Sequence, residues 1–470
     1  MSIASKKFIG VYPSDLDDSF LAFAPEYLCR IRNIGEFDWF VDDIKVSDKV
    51  NDNFISKYDF IIQEINQIMP IFCRHYDDLP NLELHKRKIL FTILNLADSL
   101  SKLNLTFVIF KTNSSHHIDS FICEMACRIL NINQIFLYLT LFQKDRLLPI
   151  IQRDGIGTRK PLLLNISNFS FQNEIINIHS EYKASNIFFS RNKSFLFLVW
   201  KRIKASSFKS LVRIKYFIFS KKEINSYTIR GWTFFTFIKS VVSYKKAQIF
   251  LQELIKSQKY SNLALIDKKA FVLFLHFEPE ATSFPEGGPV YNVLDLVAKI
   301  KNYKFGAEII IREHPVMGYL GENGHFARSS IARSVDFYKQ LIDLGCHFVD
   351  SEFILGKFHI PITLTGSIAL ERSLRGQKTI VLGYPWFRNV PGTYTLEEFI
   401  SQNSFDNNDN EEVAKSAYIF VSNILNFNTL FNYDVINFYS IRNKTGPEKI
   451  EFWSEQKIFL EKLLELRTKI

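Results

Sequence analysis

The 470-residue chain has five cysteines (Cys29, Cys73, Cys123, Cys127 and Cys346) and no CxxC pair. That leaves out the paired-thiol zinc and redox motifs. Cys123 and Cys127 lie four apart, on one face if helical, but a metal would need further ligands at suitable spacing. Buried thiols in a reducing compartment are the expectation. No stretch reaches about 18 apolar residues without charge, so no transmembrane helix is predicted. The opening "MSIASKKFIGVYPSDLDD" lacks the apolar core and cleavage site of a signal peptide, and a cytoplasmic location is expected. GxGxxG and Walker sequences are missing, so nothing supports a dinucleotide or ATP phosphate loop. No DxD motif sits at a strand end, and neither a metal nor a cofactor is expected.

What is present is a globular composition, 47% hydrophobic and 23% charged, in a chain long enough for two domains. Charge is unevenly spread. Residues 191–260 hold sixteen Lys or Arg against two acids, Glu223 and Glu253, so this segment is +14 in a chain of net +9, leaving −5 elsewhere. It is also aromatic, as in "SFLFLVWKRIKASSFKSLVRIKYFIF". Cations alternating with Trp and Phe suit an anionic membrane surface. A solvated helical connector packed by its apolar side fits equally well. Nucleic acid is not expected, because no recognisable binding motif accompanies the patch.

Strand-like and helix-like runs alternate along the chain. "NLTFVIFKT" (104–112) and "QIFLYLT" (134–140) read as strands around the helical "HIDSFICEMACRIL", a βαβ unit that implies a parallel sheet. After the basic segment come the strands "AFVLFLHF", "AEIIIRE", "HFVD", "HIPITLTG" and "KTIVLG", with helices at "VYNVLDLVAKIK", near 332–345 and at "SIALERSLRG". The expectation is α/β with two Rossmann-like domains, a basic helical connector and a helical C-terminal tail. The boundaries are 1–185, 186–265, 266–400 and 401–470.

In open parallel sheets, ligands bind beyond the carboxyl ends of the strands. Polar groups gather there in the C-terminal half: His276, Glu278 and Glu280 after the first strand, then Arg312, Glu313 and His314 after the second. Thr365, Gly366 and Ser367 follow a later one. Gly366 and Ser367 open a helix, where backbone N–H groups and the dipole favour phosphate; the plain alternative for Ser367 is an N-cap. Glu371 stands one turn on, at a spacing suited to ribose hydroxyls. Arg312 and His314 suit phosphate contact or proton donation to it, and Gly287 and Gly288 permit close backbone approach. In the N-terminal half, "TNSSHHIDSFICE" brings His117, Asp119 and Glu124 to the start of a helix, as base or nucleophile or as helix-capping residues.

"FEPEATSFPEGG" (277–288), "REHP" (312–315), "TGSIALE" (365–371) and "GYPWFRNVPG" (383–392) occur in order over about 120 residues. With these motifs the C-terminal half resembles bacterial capsule and surface polysaccharide biosynthesis proteins. The resemblance implies a GT-B glycosyltransferase, similar to Kdo transferases and bacterial sialyltransferases that use CMP-sugars. It implies that His314 and Ser367 hold the donor phosphate and that Glu371 holds the ribose. In the N-terminal half, "QRDGIGTRK" (152–160) has Arg153 where the sialyltransferase pattern carries a first acid before Asp154-Gly155.

The expected activity is transfer of a sugar, Kdo or another ulosonic acid, from a nucleotide-sugar to a glycan or lipid-linked acceptor. Asp119 is the expected catalytic carboxylate, with His117 and Glu124 as alternatives. His314 would assist departure of the phosphate. The chain is expected peripherally on the inner face of the plasma membrane. Two other readings are a nucleotide-sugar epimerase of the same plan and a non-catalytic assembly or export factor.

Overall fold

The computed structural model describes residues 9–12, 28–30, 58–66, 82–110, 118–139, 146–152, 159–164, 234–258, 268–276, 287, 292–302, 308–314, 333–350, 353, 355–402, 410–428, 430–431 and 457–466. They form an α/β structure with two sheets.

In the first sheet, β1 (Ile9–Tyr12), β2 (Leu28–Arg30), β3 (Phe107–Phe110) and β4 (Asn133–Leu139) are parallel, in the order β2-β1-β3-β4. The strand β5 (Arg146–Gln152) joins antiparallel to β4, and carries β6 (Lys160–Pro161) and β13 (Leu430–Phe431). Helices α1 (Leu82–Ser101) and α2 (Ile118–Ile129) cover one face. The expected helical spacing of α2 holds: Phe121, Ile122 and Met125 are buried with Val108 and Phe136 of the sheet. Alternate residues Phe107, Ile109, Ile135 and Leu137 face the other way, onto Phe459, Leu460 and Leu463 of a helical segment at 457–466. Period-two alternation thus feeds two cores from the same strands, each buried side chain contributing about 1.5–3 kcal/mol.

The second sheet has β7 (Ala270–Phe274), β8 (Glu308–Arg312), β9 (Cys346–Val349), β10 (His359–Thr363), β11 (Thr379–Val381) and β12 (Thr393–Tyr394) in the order β12-β11-β10-β7-β8-β9. Every pairing is parallel. Counted from β7 this is 6-5-4-1-2-3, the doubly wound dinucleotide-type order, whose topological switch lies between strands one and four, here β7 and β10. The strands read as continuous apolar runs because both faces are covered. Ile309 and Ile311 belong to one cluster and Ile310 to another.

Around this sheet lie α3 (Phe234–Ser257), α4 (Val293–Asn302), α5 (Val335–Asp343), α6 (Ile368–Leu374) and α7 (Leu396–Gln402). The helix α3 is the described end of the basic segment, and it packs on the protein. Ala247 is buried in the core beside β7 and β8, with Phe250, Leu251, Leu254 and Ile255 against it. The Gln258 side chain accepts from the Phe348 amide of β9 at 2.7 Å, while Lys245, Lys246 and Lys256 face solvent. Residues 191–233, the larger part of that segment, lie outside the described residues. The helix α8 (Glu411–Asn428) packs Ala417, Val421 and Leu425 with Ala369 and Leu370 of α6, in the same cluster as the α1 and α2 side chains.

Cys123, Cys127 and Cys346 are unpaired and buried, as expected of them. Burial, with Cys123 beside it, pushes the Cys127 thiol well up. Cys346 is pushed up to about 12 by burial. Among the described residues, no helix is long and apolar enough to cross a membrane.

Candidate functional site

Three parallel strand ends meet at the switch of the second sheet, and each brings one of the expected polar groups. From the end of β7, His276 extends into the space before β10. It is buried, and its Nε2 accepts a hydrogen bond from the Thr365 amide at 2.9 Å. Thr363 Oγ1 lies 3.5 Å from the same nitrogen. An accepting Nε2 places the ring proton on Nδ1. Burial, then the charges of His314 and Arg333, lower the His276 pKa to about 3, so the ring is neutral at physiological pH.

The end of β8 answers why a strand of three isoleucines should close on Arg-Glu-His. Glu313 continues the row of Ile309 and Ile311 and turns inward. Its Oε2 accepts from Arg333 Nε at 3.0 Å and from the Tyr338 hydroxyl at 2.9 Å, and its Oε1 accepts from the His314 amide at 2.8 Å. Arg333, 1% exposed, also donates from Nη2 to the His276 carbonyl at 2.9 Å. Tyr244 of α3 is buried near the same carboxylate, and burial and Glu313 together raise its pKa. Arg312 points to the opposite face, with its guanidinium 5.2 Å from the Phe274 ring centre. Burial lowers its pKa, opposed by Asp350. His314 is half-buried at the rim, and burial with the nearby Arg333 charge lowers it to about 4.

At the end of β10, Gly366 is required by close approach. A Cβ there would stand 2.7 Å from Thr363 Oγ1 and 3.3 Å from His276 Cε1. The Gly366 amide donates to Thr363 Oγ1 at 3.2 Å, and that of Thr365 to His276. With its amide turned to Thr363, Gly366 shapes the turn that leads into the helix start. Ser367 stands at the N-cap position of α6 but makes no side-chain cap. Its hydroxyl donates instead to Glu371 Oε1 at 3.2 Å, and both residues are half-buried. The helix is short, seven residues. Gly287 is buried, whereas Glu280 and Gly288 lie outside the described residues.

In the first sheet the order β2-β1-β3-β4 puts a switch between β1 and β3. Asp119 lies in the first turn of α2, which follows β3, on the carboxyl side of that switch. His117 and the Asp119 side chain lie outside the described residues. Glu124 is 2% exposed and faces the opposite end of the sheet. Its carbonyl accepts from Gln134 Nε2 at 2.9 Å, and its Oε1 accepts from Gln152 Nε2 at 3.1 Å. Gln134, the second residue of β4, pairs with Gln152 at the end of antiparallel β5. Arg159 Nη2 is 3.7 Å from Glu124 Oε1, and its Nη1 donates to the Tyr138 hydroxyl at 2.7 Å. The Arg159 guanidinium also covers the Phe136 ring at 4.4 Å. This carboxylate is committed to an internal network at the amino end of β4, away from the side where ligands bind.

The structure thus brings His276, Glu313, His314, Thr365 and Gly366 together, and adds Arg333, Tyr338 and Thr363. Those last three carried no motif. Among the described residues, no group of three or more His, Cys, Asp or Glu is placed to hold a metal ion.

No family model and no curated protein matches the chain. Among solved structures, the chain is similar to the β-Kdo 2,7-transferase KpsC of Thermosulfurimonas dismutans. The TM-score is 0.33 at 10% identity, covering 98% of this chain and 99% of the other. It is also similar to the UDP-GlcNAc 2-epimerase of Methanocaldococcus jannaschii (TM-score 0.22, 12% identity, 88% and 98% covered). The UDP-GlcNAc 2-epimerase of Neisseria meningitidis gives a TM-score of 0.16 at 12% identity, with 82% of each chain covered. Likenesses this distant carry no functional assignment, which rests on the strand-end residues themselves.

Proposed function

We propose that this chain is a GT-B glycosyltransferase of bacterial surface polysaccharide assembly. It would move a sugar from a nucleotide donor, a CMP-linked ulosonic acid such as Kdo, to a glycan or lipid-linked acceptor. The observation that supports this reading is the convergence of His276, the Glu313–Arg333 pair, His314 and the Thr365–Ser367 turn at the switch of a doubly wound sheet, where such folds place their ligand. His314 and Ser367 hold the donor phosphate, and Glu371 takes a ribose hydroxyl. Asp119, on the carboxyl side of the other switch, is the catalytic carboxylate.

In the reaction the bond between the anomeric carbon and the phosphate oxygen breaks, and its electron pair leaves with the nucleotide. The acceptor oxygen bonds to the anomeric carbon and gives up its proton to a base. His314 is neutral before the donor arrives. A phosphate beside it favours the charged ring, so binding draws in a proton that is then in place for the departing phosphate. The positive charge of segment 191–260, which on α3 faces solvent while the apolar side packs inward, would bring the enzyme to anionic lipid, where a lipid-linked acceptor resides.

The test is a thermal-shift panel of CMP, UDP, GDP and dTDP on wild type and His314→Ala. A ligand that binds only the folded chain raises Tm by mass action. Stabilisation by CMP that is lost in the variant supports the donor and leads to a Kdo transfer assay. Stabilisation by UDP, with turnover in the absence of acceptor, would replace transferase by epimerase. No shift with any nucleotide would replace both by a non-catalytic assembly role.

A further inference from the structure

We propose that Arg333 is a positioning residue that joins the His-Pro and Thr-Gly-Ser strand ends into one rigid donor seat. The proposal rests on the nucleotide-binding reading above. The observation behind it is an unbroken chain of contacts running from one motif to the other through groups that lie behind the rim.

At one end, the His314 amide is fixed by Glu313 Oε1 at 2.8 Å. The other carboxylate oxygen of Glu313 takes Arg333 Nε at 3.0 Å. From the same guanidinium, Nη2 reaches the His276 carbonyl at 2.9 Å. The His276 ring then takes the Thr365 amide at 2.9 Å. Beside it, Thr363 Oγ1 takes the Gly366 amide at 3.2 Å, one residue before Ser367. Three adjacent strands, β8, β7 and β10, are bound at their carboxyl ends by this relay. Arg333 is its centre, because one planar group serves both Glu313 and His276 in a fixed fork.

A lysine keeps the charge at this position but cannot hold two acceptors in one plane. Arg333 is 1% exposed and its Nε and Nη2 are turned to Glu313 and His276, so it acts through His314 and the 365–367 turn and not on the phosphate. Tyr338, donating to the same Glu313 oxygen at 2.9 Å, holds the carboxylate from the α5 side.

The experiment titrates the nucleotide that stabilises wild type into four proteins: wild type, His314→Ala, Arg333→Lys and the double variant. The expected result is that Arg333→Lys weakens binding by about tenfold, within the range for groups coupled through one network. His314→Ala then costs much less in the Arg333→Lys background than in wild type, since the seat is already loose. A merely stabilising role for Arg333 would not change the size of the His314→Ala effect.

Should Arg333→Lys fail to fold, the pair Glu313→Gln with Arg333→Met removes both charges together and leaves neither unpaired. The same loss of coupling is expected there. Equal affinity in the Arg333 variants, or an undiminished His314→Ala effect, would overturn the proposal while leaving the nucleotide reading standing. Absence of binding by wild type to any of the four nucleotides would overturn both.

Discussion

Among the described residues, two glutamate–arginine pairs are buried, and their surroundings differ. Glu124 and Arg159 are 3.7 Å apart at the amino end of β4, enclosed by Gln134, Gln152, Tyr138 and Phe136. Glu313 and Arg333 are 3.0 Å apart at the carboxyl end of β8, with half-buried His314 at the rim and His276 behind. The chemistry of the pairs is alike, and the end of the sheet separates their roles. At the amino end, the pair closes a helix onto a sheet. At the carboxyl end, it supports groups that can meet a ligand. A buried ion pair is therefore no sign of a site until its place along the strand is known.

The largest expected effect compares two carboxylates of one helix. Asp119→Asn is expected to lower sugar transfer on the order of 10³–10⁴-fold with the fold intact. Glu124→Gln is expected to lower the denaturation midpoint while the turnover of the folded fraction stays close to wild type. Equal loss of turnover in both would break the contrast.

Next comes removal of one partner from each pair. Arg159→Met and Arg333→Met should each cost about 3–5 kcal/mol in urea unfolding, because each leaves a carboxylate buried and unpaired. Only Arg333→Met should also weaken nucleotide binding beyond what the loss of folded protein explains.

A third expectation concerns Gly366→Ala. The added carbon meets Thr363 Oγ1 at 2.7 Å, and overpacking of this kind costs about 1–3 kcal/mol. Nucleotide affinity should fall with it, as measured by titration of the folded variant.

A further expected effect is in the pH dependence of stability. His276 and His314 have folded pKa values of about 3 and about 4, below the roughly 6.5 of an unfolded histidine. Between those limits the unfolded chain holds protons that the folded chain does not, so stability rises with pH. The contribution is complete above pH about 6.5 and is lost as pH falls through 4 toward 3, with a slope of about 1.4 kcal/mol per pH unit for each histidine. Urea midpoints from pH 4 to 7 should show this slope reduced in His314→Ala.

The second sheet was legible in the sequence because its strands are buried on both faces and appear as uninterrupted apolar runs. Ile309 to Ile311 are the clearest instance, and His276 and His314 could be placed at strand ends by counting. The long strand β5 was hidden. It carries Pro149, which argues against a strand with neighbours on both sides, yet β5 pairs with β4 on one side and β6 and β13 on the other. Arg333 was hidden for another reason. It stands 20 residues beyond Glu313, directly before Ser334, whose hydroxyl caps α5 by accepting from the Phe337 amide at 3.1 Å. In the sequence, an arginine before a capping serine marks only the start of a helix. The side of the sheet that Glu124 faces was equally unreadable, because it depends on β5 running antiparallel.

The switch between β7 and β10 also has a consequence in time. His276 and Thr365 are 89 positions apart, whereas β7 and β8, or β8 and β9, are neighbours along the chain as well as in the sheet. Contacts between distant residues close late, since the intervening loop entropy must be met first. During refolding, secondary structure should therefore recover ahead of nucleotide binding. The lag between far-ultraviolet circular dichroism and the return of ligand affinity would time the closing of β10 against β7.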